Sequence, residues 1–127
     1  MITGLESITI FSANAASLAK FYEEKVGLKI GMTAEMGEDN SNLFEIKAGA
    51  GSSFYIVDHS DLHGPAKEPK RFIMNFEVDN IEKEVARLKK AKVKLIQDIY
   101  HVEDYGHIAT FSDLDGNFFQ LVQTHSN

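Results

Sequence analysis

The sequence predicts an α+β fold built of two tandem βαβββ modules that form a curved sheet around a cleft. Three observations carry this prediction. The order strand, helix, three strands is read twice along the 127 residues. The halves can be laid on one another at an offset of about 65 residues, Val26 to Ile30 upon Lys92 to Ile96, where element order says more than identity. The stretch Phe111 to Gln123 reads as two β-forming runs joined by the turn formers Asp113, Asp115, Gly116 and Asn117, so a hairpin closes the second module. Duplicated units of this size usually pack pseudo-symmetrically, leaving a cleft between them with helices outside.

Each element has a local cause. Leu5 to Ser12 is expected as a strand, Ile8 and Ile10 alternating with Ser7, Thr9 and Phe11. Asn14 caps the following helix, whose stripe is Leu18, Phe21, Tyr22 and Val26, and Gly27 ends it in a left-handed cap. Leu28 to Met32 restarts as a strand. A polar connection, Met36 to Ser41 with Gly37 inside it, leads to a hairpin of Asn42 to Lys47 and Ser53 to Asp58. The first module is therefore 1–58. Residues 59–70 hold both prolines and no regular period, the mark of a linker.

The second module, 71–127, opens with the clearest alternation in the chain. Phe72, Met74, Phe76 and Val78 should face a helix, turning Ile73, Asn75 and Glu77 the other way. Asp79 with Glu82 resembles a capping box, Ile81, Val85 and Leu88 form a helical stripe, and Lys89, Lys90 and Lys92 suit its C-terminal dipole. Leu95 to His101, Gly106 to Ser112 and the strand beginning at Phe118 complete the set. On that last strand Gln120 stands among Phe118, Phe119, Leu121 and Val122, and a polar group there requires a hydrogen-bonding partner.

Composition sets bounds on function. With 43% hydrophobic and 25% charged residues the chain is that of an ordinary globular protein, and no apolar run approaches membrane-span length. A formal charge of −6 argues against nucleic acid and against anionic membranes. The start, Met1 to Glu6, lacks a basic flank leading into an apolar stretch, so a cytoplasmic protein is expected. The absence of cysteine removes disulfides, thiolate metal sites and a cysteine nucleophile.

Three stretches together resemble the vicinal oxygen chelate superfamily of glyoxalases, bleomycin-resistance proteins, fosfomycin-resistance enzymes and extradiol dioxygenases. They are Ala19 to Ile30, Phe76 to Glu82, and Tyr105 to Gln123, the last resembling the family's Tyr-Gly, Asp-Pro-Asp-Gly-Asn and ligand-bearing strand, with Leu114 in place of proline. The resemblance covers essentially the whole chain as a single domain. It implies that metal-dependent members hold a divalent ion on four inward strand positions, here Ser7, Tyr55, Ile73 and Gln120. Only Gln120 is a ligand type, and even a shift recruiting Glu45 or His59 leaves Ser7 and Ile73 unsuitable. No cofactor is therefore expected, a divalent metal being the minority reading. Without the ion the family's means of stabilising an enediolate oxygen is missing, which disfavours a glyoxalase reaction.

Other constellations have plainer readings. Asp113, Asp115 and Gly116 do not make a calcium loop, since the glycine comes too early and Thr124 stands where a glutamate is needed. Asp58, His59, Asp61 and His63 read as a solvated linker before they read as a metal site. His107 shares a face with Ala109 and Phe111; it is either a proton-transfer group in the cleft or a half-exposed strand histidine. Tyr100, His101 and Glu103 are rim candidates or ordinary loop residues.

Three functions stand open: a metal-free binding or sequestering protein resembling bleomycin-resistance members, a metal-dependent lyase, isomerase or dioxygenase, and an interaction module with a plugged cleft. Whether any reaction is catalysed is left undecided. The polar residues Ser7, Thr9, Tyr55, Asn75 and Gln120 favour the first, with Phe11, Ile73 and Phe118 as apolar walls and His107 as a further contact. A small-molecule ligand and a homodimer are expected, because a half-open sheet leaves edges that pairing would cover.

Overall fold

The computed structural model describes residues 1–36 and 41–125, and the predicted connection Met36 to Ser41 lies largely outside them. The chain divides into two units, Met1–Gly64 and Pro65–Asn127. In the first, β1 (Thr9–Ser12) leads into α1 (Ala15–Phe21), followed by a π-helical turn (Tyr22–Val26), β2 (Lys29–Met36), β3 (Ser41–Lys47) and β4 (Ser53–Asp58). The second has β5 (Met74–Glu77), α2 (Ile81–Lys90), β6 (Lys94–Val102), β7 (Gly106–Ser112) and β8 (Phe118–Thr124). The predicted βαβββ order is present twice.

Each unit forms one four-stranded mixed sheet, ordered β1-β4-β3-β2 in the first and β5-β8-β7-β6 in the second. In both, the first strand pairs in parallel with the last, and the others pair antiparallel. Among the described residues no helix is long and apolar enough to cross a membrane.

The helices form where expected because their ends are satisfied. Asn14 accepts a hydrogen bond from the N–H of Ser17, 3.1 Å away, and Gly27 closes the π-helical turn at φ 93°. No local pattern marks the π-helical geometry, in which both Gly27 and Leu28 donate to the Tyr22 carbonyl. At α2 the cap is Asn80, which accepts from the N–H of Lys83 at 3.1 Å, so the predicted start at Asp79 moves one residue on. A second acceptor then reaches each helix from far along the chain. Asp58 Oδ1 accepts from the N–H of Ala15 (2.7 Å) and Gln123 Oε1 from that of Ile81 (2.8 Å), partners 43 and 42 residues apart.

Packing follows strand parity. In the first unit Ile46, Phe54 and Ile56 are buried on the same side as Leu18 and Tyr22, with Tyr22 edge-on to Phe54 at 5.4 Å between ring centroids. In the second, Ala109, Phe111, Phe119 and Leu121 share a buried face with Ile81, Val85 and Leu88 of α2. Truncating a fully buried leucine such as Leu18 or Leu88 typically costs about 2–5 kcal/mol. Phe72 departs from expectation. It precedes β5 and is 85% exposed, because the alternation outruns the strand, whose pairing with β8 begins only at Met74.

Candidate functional site

One face of each sheet carries the helix, and the candidate residues lie on the other. In the first unit, the register sets Thr9 beside Tyr55 and Tyr55 beside Glu45, all on the side away from Ile46 and Ile56. The next row is Phe11, Val57 and Leu43. Phe11 is 48% exposed and meets His59 edge-on at 5.3 Å. Thr9, Phe11 and Tyr55 therefore share a face. Ser7 lies just before β1, half-buried, its hydroxyl donating to the neighbouring Glu6 carboxylate. Glu45 belongs to this face as well, and its Oε1 accepts from the N–H of Met32 at 3.0 Å.

In the second unit a continuous polar row crosses the sheet: Asn75 beside Gln120, Gln120 beside Thr110, Thr110 beside Gln97. Thr110 supplies the partner that Gln120 required. The Gln120 amide Nε2 donates to the Thr110 hydroxyl at 3.0 Å, and Thr110 is 5% exposed. The hint available in the sequence was antiparallel pairing of the two strands across the Asp113 turn. One flanking row is Glu77, Val122, Ile108 and Tyr100; the other holds Phe118 and Ser112. Ile73 sits immediately before β5, half-buried. Amide and hydroxyl groups thus line a stripe between largely apolar walls.

His107 is not part of that stripe. It pairs with Gln123, on the face of Ala109 and Phe111 that α2 covers, whereas Gln120 shares its face with Thr110. Strict alternation along β7 separates the two, so His107, expected with Gln120 among the ligand contacts, lies on the opposite face of the sheet.

The turns explain the remaining candidates. Asp113 Oδ1 accepts from the N–H groups of Asp115 and Asn117, both at 2.9 Å, and Oδ2 accepts from Asn117 Nδ2 at 3.1 Å, which makes the Asp113 segment a turn rather than a calcium loop. Asp58 is committed to Ala15 and to the N–H of Asn42, and His59 Nδ1 accepts from the N–H of Asp61. Structural bonds account for these groups.

The family metal fails on donor chemistry. Its four positions present a hydroxyl, a phenol, an alkyl group and one amide, and that amide already donates to Thr110. Neither imidazole nor carboxylate is among them, so these residues do not fit a first-row ion.

Comparison with known proteins agrees with the fold. Residues 4–121 match the profile of the Glyoxalase/Bleomycin resistance protein/Dioxygenase superfamily. No curated protein matches the chain. Among solved structures, a glyoxylase/bleomycin resistance protein/dioxygenase domain from Frankia sp. EAN1pec superposes with a TM-score of 0.80 at 15% identity, covering 98% of this chain and 100% of that one. An antibiotic binding protein from Streptomyces sp. CB03234 gives 0.76 at 23% identity, with 98% of both chains covered. A genomically encoded fosfomycin resistance protein from Listeria monocytogenes gives 0.75 at 19%, covering 98% and 96%. With the profile spanning nearly all of its length and the βαβββ order present twice, the chain belongs to the glyoxalase/bleomycin resistance/dioxygenase superfamily.

Proposed function

We propose that this protein binds a small molecule on the faces of its sheets that the helices do not cover, without a metal at the family position. The observation that carries the reading is the row Asn75, Gln120 and Thr110, which offers directional hydrogen bonds and no ionised ligand. The half-buried Phe118 and Ile108 beside it provide apolar contact, the composition of sites for planar or amphipathic compounds. That a structural neighbour is an antibiotic binding protein supports the same class. Thr9, Phe11 and Tyr55 on the first sheet offer a similar mixture.

Screening aromatic and amphipathic compounds for thermal stabilisation tests the reading. A hit should bind several-fold or more weakly to Gln120→Leu, because losing one such bond costs about 0.5–1.5 kcal/mol and stranding Thr110 adds to it. Unchanged affinity in both Gln120→Leu and Asn75→Leu would remove this face from the site.

A metal-dependent lyase, isomerase or dioxygenase is the second reading, favoured only by Glu45 beside Tyr55 and Thr9. It requires stoichiometric metal in gently purified protein that is lost in Glu45→Ala or Gln120→Ala. We also propose a cytoplasmic homodimer. The edge strands β1, β2, β5 and β6 and the exposed Phe72 are the groups that pairing would cover, and a monomer in sedimentation at micromolar concentration would exclude it.

A further inference from the structure

Three of the five histidines gather at one end of the second sheet. His101 and His107 are cross-strand partners on β6 and β7, with ring centroids 4.9 Å apart. His125 follows β8, 5.1 Å from the His101 ring and 6.0 Å from that of His107. Its backbone is held in place, since its N–H donates to the Tyr105 carbonyl in the β6–β7 turn at 3.0 Å. Gly106 permits the close approach beneath: a Cβ there would run into the Gln123 carbonyl oxygen and lie 2.8 Å from Thr124 Cα.

His101 Nε2 and His125 Nε2 are 3.0 Å apart. Two neutral imidazoles share such a contact only as donor and acceptor, with one proton between the nitrogens. A metal ion can take that proton's place. Nitrogens bound at about 2.0–2.1 Å are about 2.9 Å apart when adjacent in a square plane and about 3.4 Å apart on a tetrahedron. The observed spacing is already close to the square-planar bite. His101 and His125 are exposed, so binding an ion requires little desolvation. Among the described residues no three such side chains yet close around one point, and rotation of the half-buried His107 ring is the step that would add a third nitrogen.

We infer that His101 and His125, with His107 as third ligand, form a surface site for a divalent first-row transition ion that prefers imidazole. Cu2+ and Ni2+ fit best, on affinity order and on geometry. This site is independent of the proposed ligand face.

The test is titration of the untagged full chain with Ni2+, followed by calorimetry. One ion per chain should bind with micromolar or tighter affinity. His101→Ala and His125→Ala should each weaken it about tenfold or more, His107→Ala several-fold, and Gln120→Leu not at all. His125 lies beyond the last strand, so its variant keeps the fold, which circular dichroism verifies. Absence of saturable binding, a stoichiometry other than one, or undiminished affinity in both His101→Ala and His125→Ala would overturn the inference.

Discussion

In residues 1–64 the first N–H of the helix is met by a carboxylate, Asp58, and in residues 65–127 the equivalent N–H is met by an amide, Gln123. Both helices otherwise start alike, with asparagine accepting from the third helical residue. The position therefore calls for an acceptor oxygen and not for a charge. The carboxylate does one thing more, since its second oxygen takes the N–H of Asn42 at the start of β3. The faces away from the helices differ in the opposite sense: the first carries a carboxylate, Glu45, in its central row, whereas the second has only amides and a hydroxyl there.

Substitutions can break or sharpen this comparison. The largest effect is expected at Gly106, where an alanine Cβ would meet the backbone of Gln123 and Thr124; Gly106→Ala should cost on the order of 3 kcal/mol in denaturant unfolding. Asp58→Ala strands two N–H groups and should cost about 2 kcal/mol, while Asp58→Asn keeps one acceptor and recovers about half. Gln123→Leu strands one N–H and should cost about 1 kcal/mol; equal losses at Asp58 and Gln123 would show that the second oxygen contributes nothing. Gly31 in the first unit contrasts with Gly106, because its added Cβ meets only the ends of the Glu45 and Lys47 side chains. Gly31→Ala should therefore cost less than about 1 kcal/mol.

The smallest effect concerns Asp98 on β6. Its carboxyl is held below the ordinary aspartate value by the hydrogen bond from the N–H of Ile99, then by Lys89, against a small opposing effect of burial. A lowered folded-state value means that its contribution is present above the unfolded value and fades as pH falls through the folded one. Lys89→Gln should move the Asp98 titration seen by NMR upward, towards the ordinary value.

The sequence revealed most where one strong local rule acted alone. Ser53–Asp58 and Gly106–Ser112 fall where turn formers and alternation put them, and Asn14 and Gly27 end their helix as capping chemistry requires. At Phe72 alternation continues past the point where a partner strand exists. Which face His107 and Gln120 take relative to one another depends on which residue of β8 lies opposite, and that register is set by the geometry of the Asp113 turn and not by alternation within either strand. The contact of Gln120 with Thr110 follows from the same register. The pairing of Asp58 with Ala15 and of Gln123 with Ile81 joins residues more than forty positions apart, beyond the reach of any local pattern.

Those two long-range caps also bear on the order of events as the chain is made. A helix of seven residues such as α1 is marginal by itself in water. Its first turn gains the Asp58 oxygen only once β4 has been synthesised and has docked, and α2 waits likewise for β8. Each unit should therefore acquire helix and sheet in one step late in its own synthesis, so that backbone amides at Ala15 and Ile81 exchange with solvent together with the strands that guard them.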